Sequence, residues 1–594
     1  MKKILSFILV LAMLTSLAAC GTSNNGSETT TTATTTAEPT TAATTTAEPT
    51  TAATTTAEPT TAATTTAEPT TEVTTTTAPS EPADSAAITT AEDFAAMKPD
   101  GEYYLANDIT ISATWNGGVN VSATYADNIA FTGILDGKGH TITTSAALFA
   151  NLQGTVKDLT VVGEIAEVKI ADTVIHNAAV AIWTNGTAHF ENVTTKANIT
   201  GGKSCGGLLG YGATGSSITA INCVNDGNIT CTDQVGGMFG YIQDNNVTIT
   251  DCTNNGNLVT ANYGGGILGR FGRDKASVAN GSLATITGCT NTGSVTGAKG
   301  QTGGILGYLV GGAVITDCVN KGEIINTAGI AGGIFGSHGN FDGTCSLEVV
   351  NCTNTGIVRG ITLVGGIAGR LGRAPQADGY AFRIENCVNA GDVYATSAEG
   401  TTGAIQAAGI AGYAYGGTKL PNGVVNCINT GNIIVDNKGT GNVNVGGIVG
   451  YVNSANFEAQ NNINAGEITF TGNNLVTIAL IIYNKNADAT GIFNNYSVAV
   501  GEAAAVLIAE TPVAAEASGT VVTADQLASG EAAYLLNKAA GEVIFYQAIG
   551  TDALPTLVKG ENNTVYKATA GGYTNVAADG TLELDTPAET SAAQ

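Results

Sequence analysis

Proton transfer near neutral pH falls first to histidine, and the chain has four: His140, His176, His189 and His338. None has a serine or cysteine and a carboxylate nearby in a nucleophile arrangement. Neither Gly-x-Ser-x-Gly nor His-Glu-x-x-His occurs. Asp108, Asp136 and His140 are the closest approach to an acid–base cluster. Glycoside cleavage would need two carboxylates about 5–10 Å apart across a cleft. The run Asp136-Gly137-Lys138-Gly139 is more simply a turn, with His140 leading into a strand. There are 11 cysteines but no Cys-x-x-Cys, so the spacing of a zinc site is missing. Asp436 to Asn442 offers calcium-type ligands without EF-hand spacing. The expectation is no catalytic residue, no metal and no cofactor.

A recurrent spacing does point to chemistry. A Gly-Gly-apolar-apolar-Gly block begins at Gly206, Gly236, Gly265, Gly303, Gly332, Gly365 and Gly446, and Ala408 opens one further copy. The residue after the block is in turn Tyr211, Tyr241, Arg270, Tyr308, Ser337, Arg370, Tyr413 and Tyr451. Two copies continue alike, to Arg273 and Arg373. Tyrosine and arginine present planar faces and donors suited to sugar rings and acidic groups. A purely structural alternative has the tyrosines stacking on one another at a corner and the arginines balancing nearby carboxylates. This Tyr/Arg stripe is the candidate surface for an extended, anionic glycan.

Such a column needs a scaffold that repeats. After each block comes Cys-x-Asn-x-Gly-x-apolar. Its cysteines are Cys223, Cys252, Cys289, Cys318, Cys352, Cys387 and Cys427, with Asn462 in that slot in an eighth copy. Its asparagines are Asn225, Asn254, Asn291, Asn320, Asn354, Asn389, Asn429 and Asn464. Successive blocks lie 29 to 43 residues apart, which marks a repeat protein. Offsets of two within the second signature are strand-like. A further apolar column, Ala220, Ile249, Ile286, Ile315, Val349, Ile384 and Val424, precedes the cysteine by three. That odd offset requires a bend or bulge between them. Each repeat is read as about three short strands and three turns, too small to bury a core alone, so neighbours must stack.

The expected fold is therefore all-β: a parallel, right-handed β-solenoid (β-helix) of about ten irregular coils, with rungs about 4.8 Å apart. Stacking would turn the asparagines into an amide ladder, and the glycine two residues later would supply a positive φ at a corner. The cysteine column would be buried free thiols. Cys205, Cys231 and Cys345 stand off the ladder and have no assigned role.

Composition sets further limits. Only 12% of residues are charged, 78 are glycine, and 23 basic against 49 acidic residues give a net charge of -26. Nucleic-acid binding is excluded as an expectation, because neutralising phosphates needs clustered cations. Lys2 and Lys3, the apolar run Ile4 to Leu14 and Leu17-Ala18-Ala19-Cys20 resemble the signal peptide and lipobox of bacterial lipoproteins. That resemblance implies cleavage after residue 19, lipid on Cys20 and a location on the bacterial cell surface. Ala-Glu-Pro-Thr recurs at 37, 47, 57 and 67, so residues 20–85 are read as a disordered Thr/Ala/Glu/Pro stalk.

The two signatures together resemble the GLUG repeats of bacterial surface proteins. The stretch from Tyr103 to Ile142 resembles the first coils of pectin-lyase-like β-helices. Residues 86–200 are accordingly read as the start of the helix and 201–500 as the repeat solenoid. A small α/β C-terminal cap is expected over 501–576, with Thr523 as a helix N-cap, Tyr546 and Gln547 as its alternative ligand contacts, and an acidic tail over 577–594. The resemblance implies a surface-anchored, non-catalytic adhesin or carbohydrate-binding protein, with glycans or host and neighbour cell-surface proteins as partners. The alternative is a β-helix polysaccharide lyase or glycoside hydrolase.

Overall fold

The computed structural model describes residues 85–273, 281–339, 345–372, 380–416, 422–454, 457–472, 476–484, 491–498, 519–568, 571–575 and 582–583. The expected signal peptide, Cys20, the Thr/Pro tract and Arg373 lie outside the described residues.

One coil shows the plan. Strands β1 (Val224–Asn225), β2 (Ile229–Thr230), β3 (Gln234–Gly236), β4 (Phe239–Ile242) and β5 (Asn246–Thr250) follow one another around it. Each pairs in parallel with its counterpart in the next coil: Val224 with Thr253, Ile229 with Leu258, Gln234 with Tyr263, Phe239 with Leu268 and Asn246 with Leu283. The molecule is thus a parallel β-solenoid. Among the described residues the β5 sheet has 14 strands, the β4 sheet 12 and the β3 sheet 10. The coil has five short strands rather than three, because extra corners interrupt what the sequence pattern reads as continuous strand. Much of the variable spacing between copies falls between β4- and β5-type strands, as between Leu268–Phe271 and Leu283–Thr287.

Two corners explain the second signature. The residue before each ladder cysteine is Asn, Asp or Gly and adopts a left-handed backbone: Asn222 at φ 51°, Asp251 at 53°, Gly288 at 66°, Asp317 at 55° and Asn351 at 55°. Asn and Asp tolerate that region better than other side chains. This is the bend that lets Ile315 and Cys318, three residues apart, both point inward. The glycine after the ladder asparagine, expected to have positive φ, does not. It is needed for another reason: a Cβ on Gly356 would fall 2.0 Å from the carbonyl oxygen of Gly322 one coil below, and the same overlap recurs at Gly293, Gly391 and Gly431.

Asparagine amides fill the space inside that corner. Asn225 Nδ2 donates to Asn254 Oδ1 at 2.8 Å, and the chain continues unbroken through Asn291, Asn320, Asn354, Asn389 and Asn429 to Asn464. Each of these amides also donates to the carbonyl of its own corner glycine, as Asn354 does to Gly356 at 2.9 Å. Hydroxyls close both ends: Thr195 donates to Asn225 Oδ1, and Ser497 accepts from Asn464. All eight asparagines are fully buried, so an unmet amide there would be costly. The seven ladder cysteines are likewise buried and unbridged.

Both ends of the stack are plugged. Helix α1 (Ala91–Ala95), capped by Thr90 with Asp93, lays Phe94 against Phe149, and Trp115 meets Phe131 edge-on at 5.4 Å. At the other end Thr520–Val522 adds a parallel rung to Tyr496–Val498. Helices α2 (Ala524–Ala528) and α3 (Glu531–Ala540) follow, the first capped by Thr523 with Gln526. Gly530, at φ 90°, breaks what the sequence reads as one helix. Leu527, Tyr534, Leu536 and Phe545 pack on Ile428 and Ile463, so this segment leans on the side of the last coils as well as extending a sheet. Gln547 is buried and donates to the carbonyls of Leu527 and Asp552, holding the segment together. Leu582–Glu583, within the expected tail, pairs with Lys567 and Ala568. No described helix is long and apolar enough to cross a membrane.

Candidate functional site

In the β4-type strands one residue lies between inward neighbours, as half-buried Arg270 does between Leu268 and Phe271, while Tyr241 at the same position is buried. Parallel register then sets Tyr211, Tyr241, Arg270, Tyr308, Ser337, Arg370 and Tyr413 one above another. The ring of Tyr451 stacks on that of Tyr413 at 5.5 Å and 4°. The column expected from the sequence is therefore one physical line, and register extends it to Trp183.

Its side chains pack on each other. The Arg270 guanidinium lies 4.6 Å from the centroid of the Tyr241 ring, 5.4 Å from Tyr263 and 5.5 Å from Tyr308, all within cation–π range. Its Nη2 donates to the Arg273 carbonyl at 2.7 Å. Arg370 reaches over Ser337, donating from Nε to its Oγ at 2.8 Å and from Nη2 to the carbonyl of His338 at 2.9 Å. Ser337 is fully buried beneath it. Arg273 points elsewhere, 3.7 Å from the enclosed carboxylate of Asp244, as the charge-balancing alternative expects.

Tyr263 is a site residue that the repeat pattern did not reveal. It belongs to the neighbouring β3-type column, with Gln234 and Gln301 on either side, and stacks on Tyr308 at 4.4 Å. An aromatic two residues before the glycine block was the available signal. At the other end His176 stacks on Tyr211 at 4.4 Å, and Tyr125 lies 6.2 Å from the same ring. The Tyr211 end is thus roofed by neighbouring segments. Burial, with the charge of Lys203, pushes the His176 pKa down to about 3. Burial also takes His338 to about 3, against its hydrogen bond to the Gly311 carbonyl. Both imidazoles are neutral near physiological pH, leaving arginine as the cation of the column.

The residues considered for catalysis serve turns. Asp136 accepts the Lys138 amide at 2.9 Å and pairs with Lys138 and Lys157 at 3.3 and 3.1 Å. Asp108 accepts the Thr141 amide at 2.8 Å and lies 3.2 Å from His140 Nδ1. Among the described residues no group of three His, Cys, Asp or Glu is placed to hold a metal ion.

No family model matches the chain. Halomucin of Haloquadratum walsbyi is 31% identical over 172 residues, which is 28% of this chain and 2% of that protein. The chain thus matches only a small part of that relative's length. A candidate immunoglobulin A1 protease from Bacteroides ovatus, known from its crystal structure, is similar over 41% of this chain and 77% of its own, at 16% identity and a TM-score of 0.33.

Proposed function

We propose that this chain is a lipid-anchored, non-catalytic surface protein that binds an extended anionic glycan along the Tyr/Arg column. The observation that supports this best is Arg270 among Tyr241, Tyr263 and Tyr308. In a chain with only 23 basic residues, a guanidinium framed by three rings offers charge and stacking faces together, along a line parallel to the coil axis. Arg370 repeats the charge three coils further on. At about 4.8 Å per coil, the two cations suit a ligand that presents acidic groups at intervals along an extended chain. The resemblance of the repeat signatures to GLUG repeats supports a surface role, and the lipobox-like Leu17–Cys20 with the Thr-rich tract supports an anchor and a spacer.

Arg270→Ala combined with Arg370→Ala is expected to weaken binding to acidic glycans by at least about tenfold, since one charge-assisted hydrogen bond contributes roughly 1.5–3 kcal/mol. The variant should still fold, with a lowered melting temperature, because Arg370 also bonds to Ser337 and His338 and Arg270 packs on three rings. A glycan array probed with parent and variant protein checks this, and unchanged binding with an intact fold would reject the site. Location is tested separately: Cys20→Ala should leave the protein unprocessed or released from the membrane fraction. Normal maturation with retained membrane attachment would overturn the lipid anchor.

A further inference from the structure

Cys205 and Cys231 take no part in the ladder or in the proposed glycan site. Cys205 lies in the strand Ser204–Gly206, and Cys231 follows Ile229–Thr230 in the next coil. They occupy two inward columns on either side of one corner. Register continues the Cys205 column through Val235, Gly264 and Thr302 to Ala331. The Cys231 column continues through Thr260, Gly297 and Asn326 to Gly360. Ala331 and Gly360 therefore stand in the same relation as Cys205 and Cys231.

The distance at that equivalent pair is informative. A Cβ on Gly360 falls 3.3 Å from the Cβ of Ala331, close to the usual separation of about 3.5–4.5 Å across a disulfide. The coil geometry itself brings these two positions to bridging distance. Around the cysteines, both sulfurs lie against one turn. Cys205 Sγ is 3.5 Å from the Gly201 carbonyl oxygen, and Cys231 Sγ is 3.3 Å from those of Gly202 and Lys203. The two thiols are near enough to influence each other's titration. Access distinguishes Cys231 from the ladder: Cys205 and all seven ladder cysteines are 0% exposed, whereas Cys231 is 6% exposed.

We propose that Cys205 and Cys231 form an intercoil disulfide when the folded protein meets an oxidising, disulfide-containing medium. Cys231 gives up its proton and its sulfur attacks a small disulfide such as oxidised glutathione, releasing one glutathione thiol. The sulfur of Cys205 then displaces the second glutathione as its own proton leaves. Two protein thiols lose two electrons and two protons, and the oxidant becomes two thiols. The bond ties one coil to the next and shortens the loop available to the unfolded chain.

The test uses the full chain, incubated natively with oxidised glutathione, quenched in acid, denatured, alkylated and mapped by mass spectrometry. The expected result is a linked pair of Cys205 and Cys231 peptides, all seven ladder cysteines alkylated, and a melting temperature that rises on oxidation and falls again with reductant. The double variant C205V/C231T uses the residues found one coil later, Val235 and Thr260, and so suits the fold. It should melt like the reduced parent and lose the oxidant-dependent shift. Recovery of both cysteines as alkylated thiols, or as glutathione adducts without a cross-link, would overturn the proposal. So would a shift that persists in the double variant.

Discussion

Ile315→Asp is expected to melt far below the parent protein at neutral pH and to recover part of the loss in acid. Ile315 is fully buried and sits between Ile286 and Val349 in adjacent coils. Removing its side chain alone costs about 2–5 kcal/mol, and the carboxyl group that replaces it has no partner in that column. Burial raises the folded-state pKa of such a carboxyl above its unfolded value of about 3.9. The ionisation part of the penalty is therefore absent below the unfolded pKa and grows as pH rises through the window between the two values. Denaturation followed by circular dichroism across that range checks both the size and the sign. Because coils are held by their neighbours, the damage should spread to both adjoining rungs. Thr55→Asp, in the Thr-rich tract outside the described residues, should leave melting unchanged. Equal melting of the two variants would refute a stacked core.

Gly356→Ala is expected to cost about 3 kcal/mol, at the upper end for one added carbon in a packed site. The new Cβ would meet the Gly322 carbonyl at 2.0 Å. Widening the coil step to relieve this would stretch the amide bond from Asn320 to Asn354, now 2.7 Å. Asn351→Gly is the matched control. Asn351 has φ 55°, a conformation that glycine adopts freely, and it loses only surface amide bonds such as that to Asp317. Its cost should stay within about 1 kcal/mol. Chemical denaturation of the two variants decides the matter, and the reverse order would mean that the corner has been assigned to the wrong residue.

That pair of residues also shows what could be read from the sequence and what could not. Stacked columns were legible because register places chemically identical residues on top of one another, so Asn354 and Cys352 announce themselves by recurrence. The five-strand coil was not legible: β1 and β2 have two residues each, too few to carry a period. Glycine was given the positive φ on its intrinsic freedom. A signal for the true corner was nevertheless present, since Asn, Asp or Gly stands directly before every ladder cysteine. The Tyr/Arg column was visible in Tyr241 and Arg270. Tyr263 was not, because its neighbours in register are glutamines and it occurs once rather than as a series.

The asparagine ladder has a direction. Every amide donates toward the C-terminal end, from the Thr195 hydroxyl through eight side chains to Ser497. The amide dipoles therefore align head to tail, and each link polarises the next. Hydroxyl groups suit both termini because they donate or accept as required. A line of this kind is modular by whole links only. Excising one complete coil rejoins a donor to an acceptor and leaves the line shorter but unbroken, whereas changing a single amide in an intact coil severs it into two stubs, each with a buried end that has no partner. Growth and loss of this solenoid by entire coils is thus open to it in a way that drift at one asparagine is not.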